Sequence, residues 1–431
     1  MTEEFKLSED FALKLDKEDP LSNFRAQFNI PTTNQGIEEI YFVGNSLGLL
    51  PNRARDAVSE EINKWGKHGV KGHGAERSDI KQPWVTYHQP LSKAMSKLVG
   101  ALDDEVTIMN TLTVNLHLML ISYYIPTSKK NKIIIEEQIF PSDYFAIESQ
   151  VRQRGYDPRD TIVTILPRED GLVHLDDIKQ KIIDIGDELA LVFLPGVQFY
   201  TGQVFPMKEI VEIAHQNGAY VGFNLAHAVG NIELSLNKWE VDFAVWCTYK
   251  YLNSGPGAIA ACYINEIHLD RSDMDRFNGW WGTKLETRFE MDKYFDKLST
   301  ADAWQISNPP ILSMAPIKSS LEIIEEAGGI KELRKKSIKL SNYFKYLLSK
   351  ELSKEIHLIT PKSIEAHGCQ LSLKVITEKI SGRDVFDSLI NNGVSCDWRF
   401  PDVIRVAPVP LYNTFYEVYM FVQILKKIIL E

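Results

Sequence analysis

The sequence contains few cysteines and no long apolar run. Only four cysteines occur among 431 residues, and no two of them form a C-x-x-C pair. Scattered thiols are typical of a reduced cytoplasmic protein and give no pattern for a disulfide framework or a metal site. The longest apolar stretch, residues 116–125, is shorter than the roughly 18 residues of a membrane span. The polar, acidic start MTEEFKLSED is unlike a signal peptide. We therefore expect a cytoplasmic protein without a membrane partner.

The chain also has no excess of positive charge and lacks the common nucleotide and hydrolase motifs. A formal net charge of −10 speaks against a nucleic-acid partner, because phosphate backbones bind clustered Lys and Arg. No G-x-G-x-x-G, G-x-x-x-x-G-K-[ST], H-E-x-x-H or G-x-S-x-G motif is present. Nicotinamide, nucleoside-triphosphate, zinc-hydrolase and serine-hydrolase functions are therefore disfavoured.

Short apolar segments alternate with helical ones through the middle of the chain. The predicted strands are residues 105–110, 132–137, 161–167, 189–195, 219–225, 241–247 and 258–264. Helical patterns lie between them at residues 141–155, 175–185 and 206–218. Such strands with crossover helices predict an α/β fold, a three-layer αβα large domain around a mostly parallel sheet.

The pattern changes near residue 316. A long amphipathic helical stretch, residues 317–352, is interrupted by two glycines and is followed by strand patterns and a final helix. We predict a smaller α+β domain over residues 316–431 and a large cofactor-binding domain over residues 45–315. Residues 1–44 are expected to pack with the small domain.

Lys250 is the most informative candidate, since ligands of open α/β sheets bind beyond the carboxyl ends of the strands. It follows the apolar run VDFAVWC directly. A lysine snorkelling from a strand end is one interpretation. The other is a partly desolvated amine that forms a Schiff base. The hydroxyls of Thr248 and Tyr249 and the following NSGPG turn favour the second.

Other polar residues near predicted strand ends can each be interpreted as structural or as functional. Asp143 is a helix N-cap or a carboxylate beside a cofactor ring, with Phe140 available for stacking. Thr113 is a cap or part of a phosphate-binding helix N-terminus. His227 is a core imidazole or a site residue. Arg405 lies inside the apolar segment VIRVAP and needs a partner, for which a substrate carboxylate is suited.

Eight segments in a fixed order resemble one enzyme family. They are YFVGNSLGLLP, MNTLTVNLHLML, FPSDYFAIESQ, GVQFYTGQ, LAHAVGNIEL, WCTYKYLN, QISNPP and IRVAPVPLYN, and they span residues 41–413. The chain resembles the kynureninases, fold-type-I pyridoxal-phosphate enzymes with the aspartate-aminotransferase-like fold. The resemblance implies pyridoxal 5′-phosphate as cofactor, no metal, and a homodimer with its active site at the subunit interface.

Carried over by position, the resemblance assigns roles to individual residues. Lys250 becomes the Schiff-base lysine, and Tyr249 a proton donor or relay. The implied cofactor contacts are Leu112, Thr113, Phe140, Ser142, Asp143, Asn224, His227, Tyr249, Lys250, Trp280 and Asn308, with Trp280 and Asn308 reaching across the dimer interface. The implied substrate contacts are Arg405 for the α-carboxylate and Ser46, His73 and Asn308 around the aromatic end.

The chain departs from the family at Asn224. The family normally has an aspartate there, which pairs with the pyridine nitrogen of the cofactor and keeps it protonated. The implied reaction is hydrolysis of the Cβ–Cγ bond of L-kynurenine, or of 3-hydroxykynurenine, in tryptophan degradation and NAD biosynthesis. The products are anthranilate or 3-hydroxyanthranilate, and L-alanine. The alternatives are another fold-type-I lyase, such as a cysteine-desulfurase-like protein, and a cofactor-binding homologue whose activity is reduced by Asn224.

Overall fold

A computed structural model describes residues 4–74 and 79–430 as helices and strands joined by short loops. The helices are α1 (Glu9–Lys17), α2 (Asn52–His68), α3 (His88–Val99), α4 (Leu112–Tyr123), α5 (Pro141–Gln153), α6 (Pro158–Thr161), α7 (Leu175–Ile185), α8 (Met207–Gln216), α9 (Glu266–Leu269), α10 (Leu285–Arg288), α11 (Ile311–Glu326), α12 (Gly329–Glu351), α13 (Gly382–Asn391) and α14 (Phe415–Leu430). The strands are β1 (Phe28–Asn29), β2 (Ile40–Tyr41), β3 (Leu50–Pro51), β4 (Val106–Ile108), β5 (Lys132–Glu136), β6 (Ile162–Ile165), β7 (Leu189–Pro195), β8 (Tyr220–Asn224), β9 (Phe243–Trp246), β10 (Ala261–Ile264), β11 (Ile356–Leu358), β12 (Leu371–Val375), β13 (Val394–Ser395), β14 (Asp397–Arg399) and β15 (Val403–Val406).

The main sheet has seven strands in the order β4-β10-β9-β8-β7-β5-β6. Strands β5 to β9 pair in parallel, whereas β10 runs antiparallel to both of its neighbours. The predicted α/β fold with a mostly parallel sheet is therefore confirmed.

Alternate residues of the central strand β7 enter two different hydrophobic cores. Val192 and Leu194 pack with a cluster that includes Ile178 of α7 and Ile210 of α8. Leu191 and Phe193 pack on the other side, in a cluster that includes Leu116 of α4. Because side chains alternate along a strand, helices cover both faces, and the strands are apolar throughout.

A second sheet, β11-β12-β15-β14, is antiparallel and supports a third core. Phe11 and Leu15 of α1 pack there with Phe344 of α12 and Phe421 of α14. Strand β2 pairs with β13 in parallel, so the N-terminal segment contacts the C-terminal part of the chain at two places. The exact domain boundaries stay a prediction.

The described helices do not include a candidate membrane span. None of those within residues 4–74 and 79–430 combines the length and the apolar character that crossing a bilayer requires.

Candidate active site

A cavity of about 220 Å³ lies at the carboxyl edge of the main sheet. Strands β7, β8 and β9 are aligned there, with Pro195 opposite Asn224 and Asn224 opposite Val245. Residues that follow these strands therefore meet in space. Nine predicted site residues line the cavity: Leu112, Thr113, Phe140, Ser142, Asp143, Asn224, His227, Tyr249 and Lys250.

Lys250 projects into this cavity from a tightly constrained turn. Its carbonyl accepts a hydrogen bond from Asn253 N at 2.9 Å, and Asn253 has a positive φ of 51°. Gly48 packs against the same turn, where a Cβ would lie 2.2 Å from the Lys250 carbonyl oxygen. Burial lowers the pKa of the Lys250 amine, and the charge of Arg405 lowers it further. This position agrees better with a nucleophilic amine than with a lysine that extends its charged end into solvent.

His227 is the direct partner of that amine. Lys250 Nζ and His227 Nε2 are 3.0 Å apart, and His227 Nδ1 is buried without a hydrogen-bond partner among the described residues. Burial holds the pKa of His227 well below its usual range, and the Lys250 charge acts in the same direction. The imidazole is therefore neutral near pH 7, and its Nε2 can accept a hydrogen bond from the lysine amine when the proton of the ring is on Nδ1.

Asp143 and Asn224 form a second buried pair in the cavity wall. Asn224 Nδ2 donates to Asp143 Oδ2 at 2.6 Å, so the Asp143 side chain bonds to β8 and does not cap its own helix α5. Burial raises the pKa of Asp143 to about 6, opposed by the Asn224 hydrogen bond and the Lys250 charge. Asp143 Oδ1 is buried and has no hydrogen-bond partner within residues 4–74 and 79–430.

Two helices begin at one end of the cavity. Helix α4 starts at Leu112 without a side-chain cap, and helix α5 starts at Pro141. The Thr113 and Ser142 hydroxyl oxygens lie 2.8 Å apart between them. The first amides of a helix have no partner within it and attract anions, so this end suits a phosphate group.

Aromatic rings close another wall of the cavity. Phe140 is 44% exposed and meets Phe199 edge-on, with ring centroids 5.4 Å apart. Phe199 and Glu136 also line the cavity and were not singled out from the sequence. Glu136 ends the apolar strand β5, which is the signal that could have identified it. Burial raises the pKa of Glu136 to about 8.

Arg405 is buried beside the cavity and already has a carboxylate partner in this chain. Its Nη2 donates to Asp397 Oδ2 at 2.5 Å, and its Nη1 donates to the Phe199 carbonyl at 2.7 Å. Asp397 also accepts from Arg399 at 3.1 Å. Arg405 Nε is buried and has no hydrogen-bond partner among the described residues, and the two bonds above use only one N–H group of each Nη atom.

Four other predicted residues do not line the cavity. Ser46 is half-buried, and His73 Nδ1 lies 3.2 Å from the Val70 carbonyl oxygen. Trp280 is 44% exposed and donates to the Arg288 carbonyl, and Asn308 is exposed. The roles assigned to these four residues stay predictions.

The cavity has the chemical groups that pyridoxal phosphate requires. It combines an amine of lowered pKa, an anion-binding helix end, an aromatic side chain and a buried carboxylate with an unpartnered oxygen. Pyridoxal phosphate presents an aldehyde, a phosphate, a flat ring and a ring nitrogen. The residues present therefore fit this cofactor.

Comparison with known proteins agrees with this fit. The kynureninase C-terminal domain model matches residues 333–425. Kynureninase from Flavobacterium psychrophilum is 49% identical, covering 99% of both chains, and that from Christiangramia forsetii is 47% identical, covering 99% of this chain and 100% of the relative.

Two solved structures show the same fold at low sequence identity. The cysteine desulfurase of Thermococcus onnurineus is 18% identical, with a TM-score of 0.73 over 99% of both chains. A variant of C-DES with glycine covalently linked to its pyridoxal-phosphate cofactor is 16% identical, with a TM-score of 0.76 over 93% of this chain and 98% of that one. Identities near half over the full length are decisive, and the chain belongs to the kynureninase family.

Proposed function

We propose that the chain is a pyridoxal-phosphate-dependent hydrolase that cleaves the Cβ–Cγ bond of L-kynurenine. The products are anthranilate and L-alanine, and 3-hydroxykynurenine is an alternative substrate that differs by one ring hydroxyl. The observation that carries the proposal is the Lys250 amine in the cavity, 3.0 Å from the neutral His227 imidazole. A second support is that the chain is 49% identical to a kynureninase over nearly its full length.

The cavity residues divide into groups that would hold different parts of the cofactor. Leu112, Thr113 and Ser142 would hold the phosphate, Phe140 would cover the ring face, and Lys250 would be the covalent anchor. When bound, pyridoxal phosphate supplies an electron sink for charge that develops next to the substrate amino group.

Lys250 and Tyr249 would handle the protons of the reaction. A lowered pKa increases the share of the uncharged amine, which is a base, so Lys250 would take the Cα proton of the substrate. His227 would keep that amine oriented through their hydrogen bond. Burial raises the pKa of Tyr249, so its hydroxyl stays protonated and can donate a proton to the leaving carbon.

Arg405 would bind the α-carboxylate of the substrate, because it lies beside the cavity and each of its Nη atoms has a second N–H group. Ser46, His73 and Asn308 would surround the aromatic end. We also propose that two copies of the chain share each site. An exposed groove lined by Trp280, Met291 and Tyr294 supports an association surface, because these side chains are 44%, 78% and 76% exposed.

The four thiols bear on the location of the protein and on the alternative reactions. All four cysteines are buried and unpaired, which supports a cytoplasmic, reducing location. A desulfurase-like reaction needs a reactive cysteine near the site, and burial raises the pKa of Cys247, the one beside Lys250. The other alternative is a cofactor-binding homologue with reduced activity, because Asn224 carries no charge.

Anthranilate fluorescence tests the proposal. Purified protein with pyridoxal phosphate and L-kynurenine should release anthranilate, and Lys250→Ala should not. A parallel reaction with 3-hydroxykynurenine ranks the two substrates. Cofactor binding without anthranilate would favour the inactive homologue, and sulfide release from cysteine would favour the desulfurase.

A further inference from the structure

The Asn224–Asp143 pair leaves one carboxylate oxygen unused. Asn224 Nδ2 donates to Asp143 Oδ2 at 2.6 Å, while Asn224 Oδ1 accepts from the backbone N–H of Ala226 at 2.9 Å. These two bonds fix the orientation of the Asn224 amide. Asp143 is 3% exposed, and its Oδ1 has no hydrogen-bond partner among the described residues.

The negative charge of Asp143 is also unneutralised at contact distance. Within the described part of the chain, the hydrogen bond from Asn224 is the only one that this carboxylate accepts. Lys250 acts on it electrostatically without forming a hydrogen bond. Burying a carboxylate oxygen without a hydrogen bond costs free energy, and a donor group, preferably a charged one, removes this cost by bonding to the oxygen.

We propose that Asp143, through its free oxygen, supplies the negative charge that keeps the ring nitrogen of bound pyridoxal phosphate protonated, and that Asn224 positions Asp143. This inference rests on the proposed function, because it concerns the cofactor of that site. A neutral amide at residue 224 can accept a hydrogen bond but adds no charge that favours the protonated nitrogen. The negative charge beside the ring nitrogen would therefore come from Asp143 in the first turn of α5, and not from residue 224 at the end of β8, where the family has its aspartate.

Glu136 is the other buried carboxyl group in the cavity wall, and it is not equivalent. Gln198 Nε2 donates to Glu136 Oε1 at 3.3 Å, and among the described residues neither Glu136 oxygen is both buried and without a partner, unlike Asp143 Oδ1. Burial raises the pKa of Glu136 to about 8, against about 6 for Asp143. At pH 7.5 a larger share of Asp143 than of Glu136 is therefore charged. Glu136→Gln is accordingly a matched control for Asp143→Asn.

The test is a ¹⁵N NMR measurement on the resting holoenzyme loaded with pyridoxal phosphate labelled at the ring nitrogen. The chemical shift separates a protonated ring nitrogen from a neutral one and needs no substrate. We expect a protonated nitrogen in the parent and in Glu136→Gln, and a neutral one in Asp143→Asn. The cofactor dissociation constant of Asp143→Asn should rise about 10-fold or more, because a charge-assisted hydrogen bond is lost.

A double variant separates a charge effect from a folding effect. Asn224→Asp combined with Asp143→Asn returns one carboxylate to the pair and should restore the protonated nitrogen. A neutral nitrogen in the parent would overturn the proposal, as would a protonated nitrogen in Asp143→Asn. Failure of the double variant to restore the signal would also overturn it. If the nitrogen behaves as expected but no anthranilate forms, the proposed function fails and this inference stands.

Discussion

Lys250 and His227 share a hydrogen bond in which either group can be the donor. Burial lowers the pKa of both groups, and the Lys250 charge lowers the pKa of His227 further. The positive charges of Arg405 and Arg399 act on both groups in the same direction. The lowered pKa of Lys250 increases the share of the uncharged amine, which is the form that attacks a carbonyl carbon or removes a proton.

The Tyr249 hydroxyl can be tested separately from its ring. Tyr249→Phe should lower kcat about 100-fold or more, since general acid catalysis contributes factors of that size. Cofactor affinity should change little, because the ring beside Lys250 is kept. Steady-state kinetics and a cofactor titration measure the two effects. A variant with unchanged kcat would remove Tyr249 from the proton-transfer step.

Asp143 should lower the stability of the cofactor-free protein. Its folded pKa of about 6 lies above the usual 3.8, so its stabilising contribution is present below about pH 3.8 and is lost as pH rises through 6. Asp143→Asn should therefore raise the free energy of unfolding at pH 7.5 by at most roughly 3 kcal/mol, and the melting temperature with it. The gain in stability should be smaller at pH 5. Thermal unfolding of both cofactor-free proteins at the two pH values checks this. A pH-independent difference would reject the assigned pKa shift.

At the scale of elements, helix α1 stabilises the start of α14. Asp16 Oδ1 accepts from Phe415 N at 2.6 Å, and Asp16 Oδ2 accepts from Tyr416 N at 2.9 Å. A carboxylate at a helix N-terminus pairs with free amides and with the helix dipole. The N-terminal helix therefore contributes a cap to the final helix, besides its apolar contacts in the third core.

Removing this cap should destabilise the protein without touching the site. Asp16→Ala should cost about 1–2 kcal/mol of unfolding free energy. Asp10→Ala, at an exposed position of the same helix, is the control and should have little effect. Denaturant unfolding of both variants measures the difference. Equal stabilities would show that the cap contributes nothing.

The elements show how far sequence patterns reach. Each of the seven predicted strand segments contains a strand, because apolar β-branched runs bounded by turns are a strong local signal. The direction of β10 was not predictable, since it depends on which neighbours the strand meets. The Asp397 partner of Arg405 was missed for a related reason. Strand β14 was not predicted, and only its register with β15 places Asp397 opposite Arg405.

At the scale of the whole molecule, the second sheet is joined to the main sheet beside the cavity. Residues 199–201 follow β7, and their carbonyls accept hydrogen bonds from the second-sheet side of the chain. The donors are Arg405 at 2.7 Å, Gln370 at 2.9 Å, Ser372 at 2.6 Å and Thr360 at 2.6 Å. These bonds fix Arg405 relative to the main sheet that carries Lys250. The distance between Arg405 and Lys250 is thereby set by the two sheets together, as the proposed binding of the substrate carboxylate beside the amine requires.

The proposed sharing of each site between two copies has its own test. Lys250→Ala and Trp280→Ala chains should each be inactive alone, and their mixture should recover about a quarter of the parent activity. Random exchange makes about half of the dimers mixed, and each mixed dimer has one intact site of two. A mixture of Lys250→Ala with Tyr249→Phe is the control. Both residues line the cavity from one chain, so no intact site forms. An active Trp280→Ala chain, or no recovery in the first mixture, would contradict the shared site.

The central claim is that Lys250 is the residue to which the cofactor is bound. Borohydride reduction of the holoenzyme followed by peptide mass spectrometry tests this most directly, because it fixes the lysine–cofactor link before digestion. We expect the cofactor mass on the peptide that contains Lys250 and on no other peptide. A cofactor adduct on a different lysine, or none on the Lys250 peptide, would contradict the account.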